Sequence, residues 1–239
     1  MEQRFLDSQT LAEIIASPPH QLQNIQAELL FIGDTYVFHY REKDQDVYKC
    51  LSPDSLRQAF NNQPLDSGWL PANVIRHGSN HNGQWSLMFI PAKRHTLSFE
   101  REQLQIPLPP LVFMGMGKTY WLWAIKSTTF DPTAKVFHAP LPNVNIYPPG
   151  QICWGSNNPP TASPPQINQA WTLFINSQFS NHYAERKSQQ FPSNITKQLQ
   201  QLHAKVRVSK RCRYPCRDLV PIGNRGETLE QLLEGILLP

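Results

Sequence analysis

The strongest nucleophile on offer in this chain is a thiol, and the four cysteines stand at Cys50, Cys153, Cys212 and Cys216. A thiolate attacks acyl carbon readily even when its pKa is only modestly adjusted. Taken alone, each cysteine reads as well as a small buried hydrophobe, because free cysteine is among the most buried residue types. Four cysteines are too few to make a disulfide framework in a chain this long. Cys212 and Cys216 supply at most half of a zinc site, since no second Cys/His pair of typical spacing follows them. His77 and His81 flank a Gly-Asn turn and have no third ligand in sight. Gly115-Met116-Gly117-Lys118-Thr119 has the look of a phosphate loop, but Val112 stands where its first glycine is needed, and an aromatic strand follows where a helix is required. It reads as a hairpin turn. Cys153 remains, set in an irregular stretch with Asn143 and Gly150.

The elements that must position Cys153 can be read from periodicity. Ser8 to Ile15 reads as a short helix ahead of Pro18-Pro19. Leu29 to Ile32 and Tyr36 to Tyr40 alternate around Gly33-Asp34 as a hairpin, and Val47 to Leu51 adds a third strand. Ser52-Pro53 opens a helix through Phe60, with the serine at the cap and the proline in the first turn. These pieces form a small N-terminal α+β region over residues 1–65, set off by the polar stretch Asn61 to Gly68. Residues 66–239 form the main domain. A turn over Gly78 to Gly83 leads to strands at Trp85 to Ile90, His95 to Phe99, Leu111 to Met114 and Tyr120 to Ala124, an antiparallel meander by pattern. From Phe130 to Pro165 no period persists, yet Val136, Phe137, Val144, Ile146, Ile152 and Trp154 argue for a packed loop, and long irregular segments are commonly functional. Ile167, Trp171, Phe174, Ile175 and Phe179 give one apolar helical face. Ile195 to Leu202 is a further short helix, and Leu229, Leu232, Leu233, Ile236 and Leu237 stripe a terminal one.

The segment Leu141-Pro142-Asn143-Val144-Asn145-Ile146-Tyr147-Pro148-Pro149-Gly150-Gln151-Ile152-Cys153-Trp154 resembles the active-site stretch of ubiquitin-conjugating enzymes, in which His-Pro-Asn is followed across a short turn by Gly-x-Val/Ile-Cys. Strand and helix order agree from about Trp69 to Leu202. The resemblance implies an α+β, ubiquitin-conjugating-like fold. It makes Cys153 the thioester cysteine, which accepts the C-terminal carboxyl of a ubiquitin-like modifier and yields it to an amine. It makes Asn143 either a stabiliser of the oxyanion or a brace for the loop, though Asn143 alone reads equally as a turn residue. Pro142 would fix the turn that presents Asn143, and Gly150 would let the chain approach Cys153 closely. Two departures stand out. Leu141 occupies the place of the family's His, with His138 the nearest substitute. The interval from Asn143 to Cys153 is longer by about two residues, around Tyr147-Pro148-Pro149, which would shift Asn143 away from the thioester.

Pro109-Pro110-Leu111-Val112-Phe113, the Ile-Cys-Trp-Gly at Ile152 to Gly155 and Asn157-Asn158-Pro159-Pro160 resemble, more narrowly, the divergent prokaryotic branch found in the plasmid-associated PRTRC system. That resemblance implies a ThiF-like adenylating enzyme, a small ubiquitin-like protein and a JAB-type metalloprotease-like protein as company. No bound cofactor or metal is expected, since the ATP chemistry would belong to the adenylating partner.

The 239 residues carry a net charge of +4. Much of it gathers in a basic connector, 205–217, with Lys205, Arg207, Lys210, Arg211, Arg213 and Arg217 and no acid before Asp218. Such a run suits nucleic acid or an acidic partner, or is a solvated connector. The 22 prolines are densest between Pro107 and Pro165 and punctuate short elements. The N-terminus lacks the basic start and apolar run of a signal peptide, and no stretch nears the roughly 18 apolar residues that span a bilayer. A cytoplasmic protein with reduced cysteines is expected, and the sequon Asn194-Ile195-Thr196 is idle there.

Overall fold

A computed structural model of the chain describes residues 27–32, 35–42, 45–60, 68–80, 82–99, 102–209, 211–223 and 226–237. The chain divides into two compact units, Met1–Gly68 and Trp69–Pro239. In the first, aromatic and β-branched residues form strands β1 (Ala27–Ile32), β2 (Thr35–Glu42) and β3 (Gln45–Leu51), paired antiparallel in that order. Helix α1 (Pro53–Phe60) follows. Its start is the one expected: Ser52 Oγ accepts from the Ser55 N–H at 3.1 Å, and Pro53 fills the first helical position, where no donor is lost. The helix expected over Ser8 to Ile15 and most of the stretch Asn61 to Gly68 lie outside the described residues.

The second unit contains strands β4 (Val74–Asn80), β5 (Gly83–Ile90), β6 (Lys93–Phe99), β7 (Glu102–Leu108), β8 (Leu111–Met116), β9 (Thr119–Ile125), β10 (Val136–His138) and β11 (Gln178–Phe179). Its helices are α2 (Ile167–Ile175), α3 (Ile195–Val208) and α4 (Leu229–Leu237). An antiparallel five-stranded sheet has the order β10-β9-β8-β5-β4, and a second sheet has the order β11-β6-β7. The strands therefore do not form one uninterrupted meander. Between β5 and β8 the chain leaves to build the β6–β7 hairpin of the other sheet. Pro91 and Pro109-Pro110 flank this excursion, and proline has no N–H with which to continue a ladder. The turn placed over Gly78 to Gly83 is also tighter than expected, because Gly78 to Asn80 already belong to β4.

The apolar runs of β8 and β9 are explained by burial on both faces of the larger sheet. Leu111, Phe113, Tyr120, Leu122 and Ala124 pack with α2, α3 and the smaller sheet. Their alternates Val112, Met114, Trp121, Trp123 and Ile125 pack with Leu229, Leu232, Leu233 and Leu237 of α4. The α2 stripe is shorter than its periodicity suggests: the helix stops at Ile175, and Phe179 reaches the same core from β11, parallel to β6. In contrast, α3 is longer and takes in Lys205 and Arg207, cations in a last turn where the helix dipole favours them. At α4, Thr228 and Gln231 bond each other's backbone N–H in a capping box.

Candidate active site

The irregular stretch between β10 and α2 is packed, with Leu141, Val144, Ile152 and Ala162 all buried. Its centre is a short ladder. The Cys153 N–H donates to Asn143 O at 2.8 Å and the Asn145 N–H to Gln151 O at 2.7 Å, while Val144 and Ile152 form a bridge between them. Asn143 and Cys153 therefore stand opposite one another. The ladder is tied to β9, since Ile152 N–H donates to Tyr120 O and Leu122 N–H to Gly150 O, both at 2.8 Å. The longer interval between Asn143 and Cys153 does not separate their backbones. The turn Ile146 to Gly150 absorbs it and swings Tyr147 outward, 81% exposed. Cys153 itself is half-buried and free.

Gly150 closes this turn with φ +86°, in the left-handed region that favours glycine. A Cβ there would lie 2.0 Å from Trp123 Nε1. That indole instead donates to Pro149 O at 3.0 Å. Pro142 is buried and precedes Asn143, which also has a left-handed φ, +58°. Asparagine tolerates this conformation better than most residues. The Asn143 amide is turned toward β11 and the loop after it: Nδ2 donates to Gln178 O at 3.3 Å, and Oδ1 accepts from Ser180 Oγ at 3.3 Å. The Asn143 N–H donates to His182 O at 2.8 Å. Every polar group of this residue is thus engaged in holding the loop. Trp154 packs edge-on to Tyr120 and Phe174 at 5.4 and 5.9 Å, and its buried Nε1 has no partner.

Leu141 is fully buried and offers the loop no polar side chain. A different residue supplies the polar bracing. Lys187, 0% exposed, donates from Nζ to Leu141 O at 2.7 Å and to Val144 O, spanning the turn that presents Asn143. Burial pulls its pKa down to about 7. His138 is buried in β10, and its Nδ1 has no hydrogen-bond partner. Its own pKa falls to about 4, first through burial and then through the charge of Lys187. Its backbone N–H donates to Val220 O, and no side-chain bond joins it to the loop. Sequence reasoning missed Lys187, Gln178, Ser180 and His182. They follow α2 in a stretch without period or motif, and only the fold brings them back to Asn143.

Chemically, the arrangement offers a half-exposed thiol on a braced ladder and a locked asparagine opposite it. Among the described residues, no cluster of three or more His, Cys, Asp or Glu side chains could hold a metal ion, and no helix is long and apolar enough to cross a membrane. No curated protein and no solved structure shows a match to the chain. Residues 48–222, which begin within β3 and take in the whole ladder around Cys153 together with α2 and α3, match the model of prokaryotic E2 family D, and the chain belongs to that family.

Proposed function

We propose that this chain carries a ubiquitin-like modifier as a thioester on Cys153 and passes it to an amine. The observation that carries the reading is the pairing of Asn143 with Cys153 across a braced ladder, in a chain whose family is defined by conjugating-enzyme likeness. The Cys153 thiolate attacks the modifier's C-terminal acyl carbon, activated by an adenylating enzyme, and the activating group leaves. An amine then attacks the thioester carbon, the Cys153 thiolate departs, and the new amide nitrogen gives its proton to water. Bracing is the role of Asn143 that its occupied amide supports. Lys187 takes the loop-bracing part that Leu141 cannot.

Family membership implies modifier-like and adenylating partners. The narrower sequence likeness, carried by Pro109 to Phe113 and Ile152 to Gly155, extends the proposal to protein B of the PRTRC system. The partners there are a ThiF-like enzyme, a small ubiquitin-like protein and a JAB-type metalloprotease-like protein, all in the cytoplasm. A second reading, a non-catalytic adaptor for the same partners, is favoured by Leu141 and by an Asn143 amide that is already engaged. Incubation with the adenylating enzyme, the ubiquitin-like protein and ATP separates the two. A thiol-sensitive adduct on non-reducing gels, lost in Cys153→Ala, is expected of the carrier. Partner binding with no adduct would establish the adaptor.

A further inference from the structure

Lys93 and Arg94 at the start of β6, Lys126 just after β9, and Arg213 from the basic run line one cavity of about 380 Å³. No acid lines it. Read along the sequence, the basic run is a solvated connector or a diffuse polyanion surface. Folding changes that reading, because three of the four cations come from outside the run. Like charges gathered at one mouth repel one another, and low-dielectric walls focus their field on whatever anion enters. Two of the cations are held in place. Lys126 Nζ sits over the Phe137 ring, 4.4 Å from its centroid, and Arg94 Nη2 donates to Ser209 O at 3.2 Å. Asp218, close to Arg213 in sequence, does not neutralise the cavity. It is buried, and its oxygens accept from Ser188 Oγ, the Gln190 N–H and Tyr214 Oη at 2.8 to 2.9 Å.

The remaining wall is stiff. Pro91, Pro109, Pro110 and Tyr214 line the cavity, and its volume is that of a small-molecule site rather than an extended groove. Arginine and lysine together match the tetrahedral oxygens of linked phosphates, one as a fork and the other as a point charge. We propose that this cavity binds an oligophosphate group, such as that of a nucleoside di- or triphosphate or the end of a free polyphosphate. The site is independent of Cys153 and of the reading given to it.

Titration calorimetry on the full chain with sodium tripolyphosphate tests this. The expected result is saturable one-to-one binding that weakens as salt rises, and weakens at least about tenfold in Lys126→Ala/Arg213→Ala as two charge-assisted contacts are lost. Lys197→Ala, an exposed cation on α3 outside the cavity, leaves it unchanged. Binding of ADP tighter than that of pyrophosphate identifies a nucleotide as the occupant, and equal binding identifies the phosphates alone. Thermal melting of each variant verifies its fold. No saturable binding, binding undiminished in the double variant, or binding of an oligothymidine strand that tripolyphosphate does not displace would overturn the proposal.

Discussion

Two glycines near Cys153 share a left-handed backbone and differ in everything else. Gly150 has φ +86° and Gly155 has φ +58°, but a Cβ on Gly155 would meet nothing within 4 Å, whereas one on Gly150 would strike the buried Trp123 indole. Gly155→Ala is therefore expected to cost only the backbone strain of the left-handed region, about 1 kcal/mol. Gly150→Ala must also displace a fully buried ring, with an expected loss of about 3 kcal/mol or more. Urea denaturation of the two variants measures the difference, and equal losses would mean that the ladder does not need this close approach. Lys187 makes a second residue-scale case. Lys187→Met removes two buried hydrogen bonds and leaves the Leu141 and Val144 carbonyls without that partner, for an expected loss of about 2–3 kcal/mol. If the lysine positions the ladder, iodoacetamide should also label Cys153 at a changed rate under native conditions while Cys50 labels as before. An unchanged Cys153 rate would confine Lys187 to stability.

At the scale of elements, the helices show what a sequence can and cannot announce. The Asn194 side chain accepts from the Thr196 N–H at 2.8 Å and caps α3, so Asn194→Ala is expected to lower stability by about 1 kcal/mol, read as a shift in urea midpoint with an unchanged slope. Continuous apolar runs made β5, β8 and β9 legible, and apolar residues three and four apart did the same for α2 and α4. By contrast, β4 was invisible: Val74 to Asn80 is a polar, half-exposed run that takes strand form only by pairing with β5. Pro107 concealed β7, yet that proline is tolerable because β7 lies at the edge of its sheet. Across that edge, His203 of α3 takes the Gln105 N–H at 2.9 Å. The ladder at Cys153 was half legible. Asn143, Gly150 and Cys153 could be found along the chain, but the residues that hold Asn143 come from β11 and the segment beyond it. Such partners leave no local signal, because the fold sets their distance from Asn143 and the sequence does not. For the same reason, Asn143→Gly, which accepts φ +58° freely, is expected to retain the backbone ladder better than Asn143→Ala, with the Cys153 labelling rate as readout.

For the whole molecule, the larger unit encloses three basic side chains in a setting that resists their charge, and this fixes how stability responds to pH. His138 and His95 are each lowered from 6.5 to about 4, by burial first and by the charges of Lys187 and Lys93 second. Lys187 is lowered from 10.5 to about 7 by burial. Between pH 6.5 and about 4 the unfolded chain binds protons on the two histidines that the folded chain does not, so acidification through this window favours unfolding. Between about pH 7 and 10.5 the unfolded chain likewise holds one more proton, on Lys187, so stability rises as pH rises. All six tryptophans lie in the larger unit, so their fluorescence during urea unfolding follows that unit. His138→Leu separates one contribution from the rest. It removes a titrating group and a buried Nδ1 that has no partner, leaving a side chain of comparable burial and no desolvation penalty. The variant should gain on the wild type as pH falls from 6.5 toward 4, by about 1–2 kcal/mol at the acid end, with a smaller difference at pH 8 that reflects only the unpartnered nitrogen. Parallel acid limbs in wild type and variant would place the acid sensitivity on groups other than His138. An acid limb made shallower in His138→Leu, together with an alkaline limb flattened in Lys187→Met, would trace the alkaline half and His138's share of the acid half to two neighbouring basic side chains that burial holds neutral.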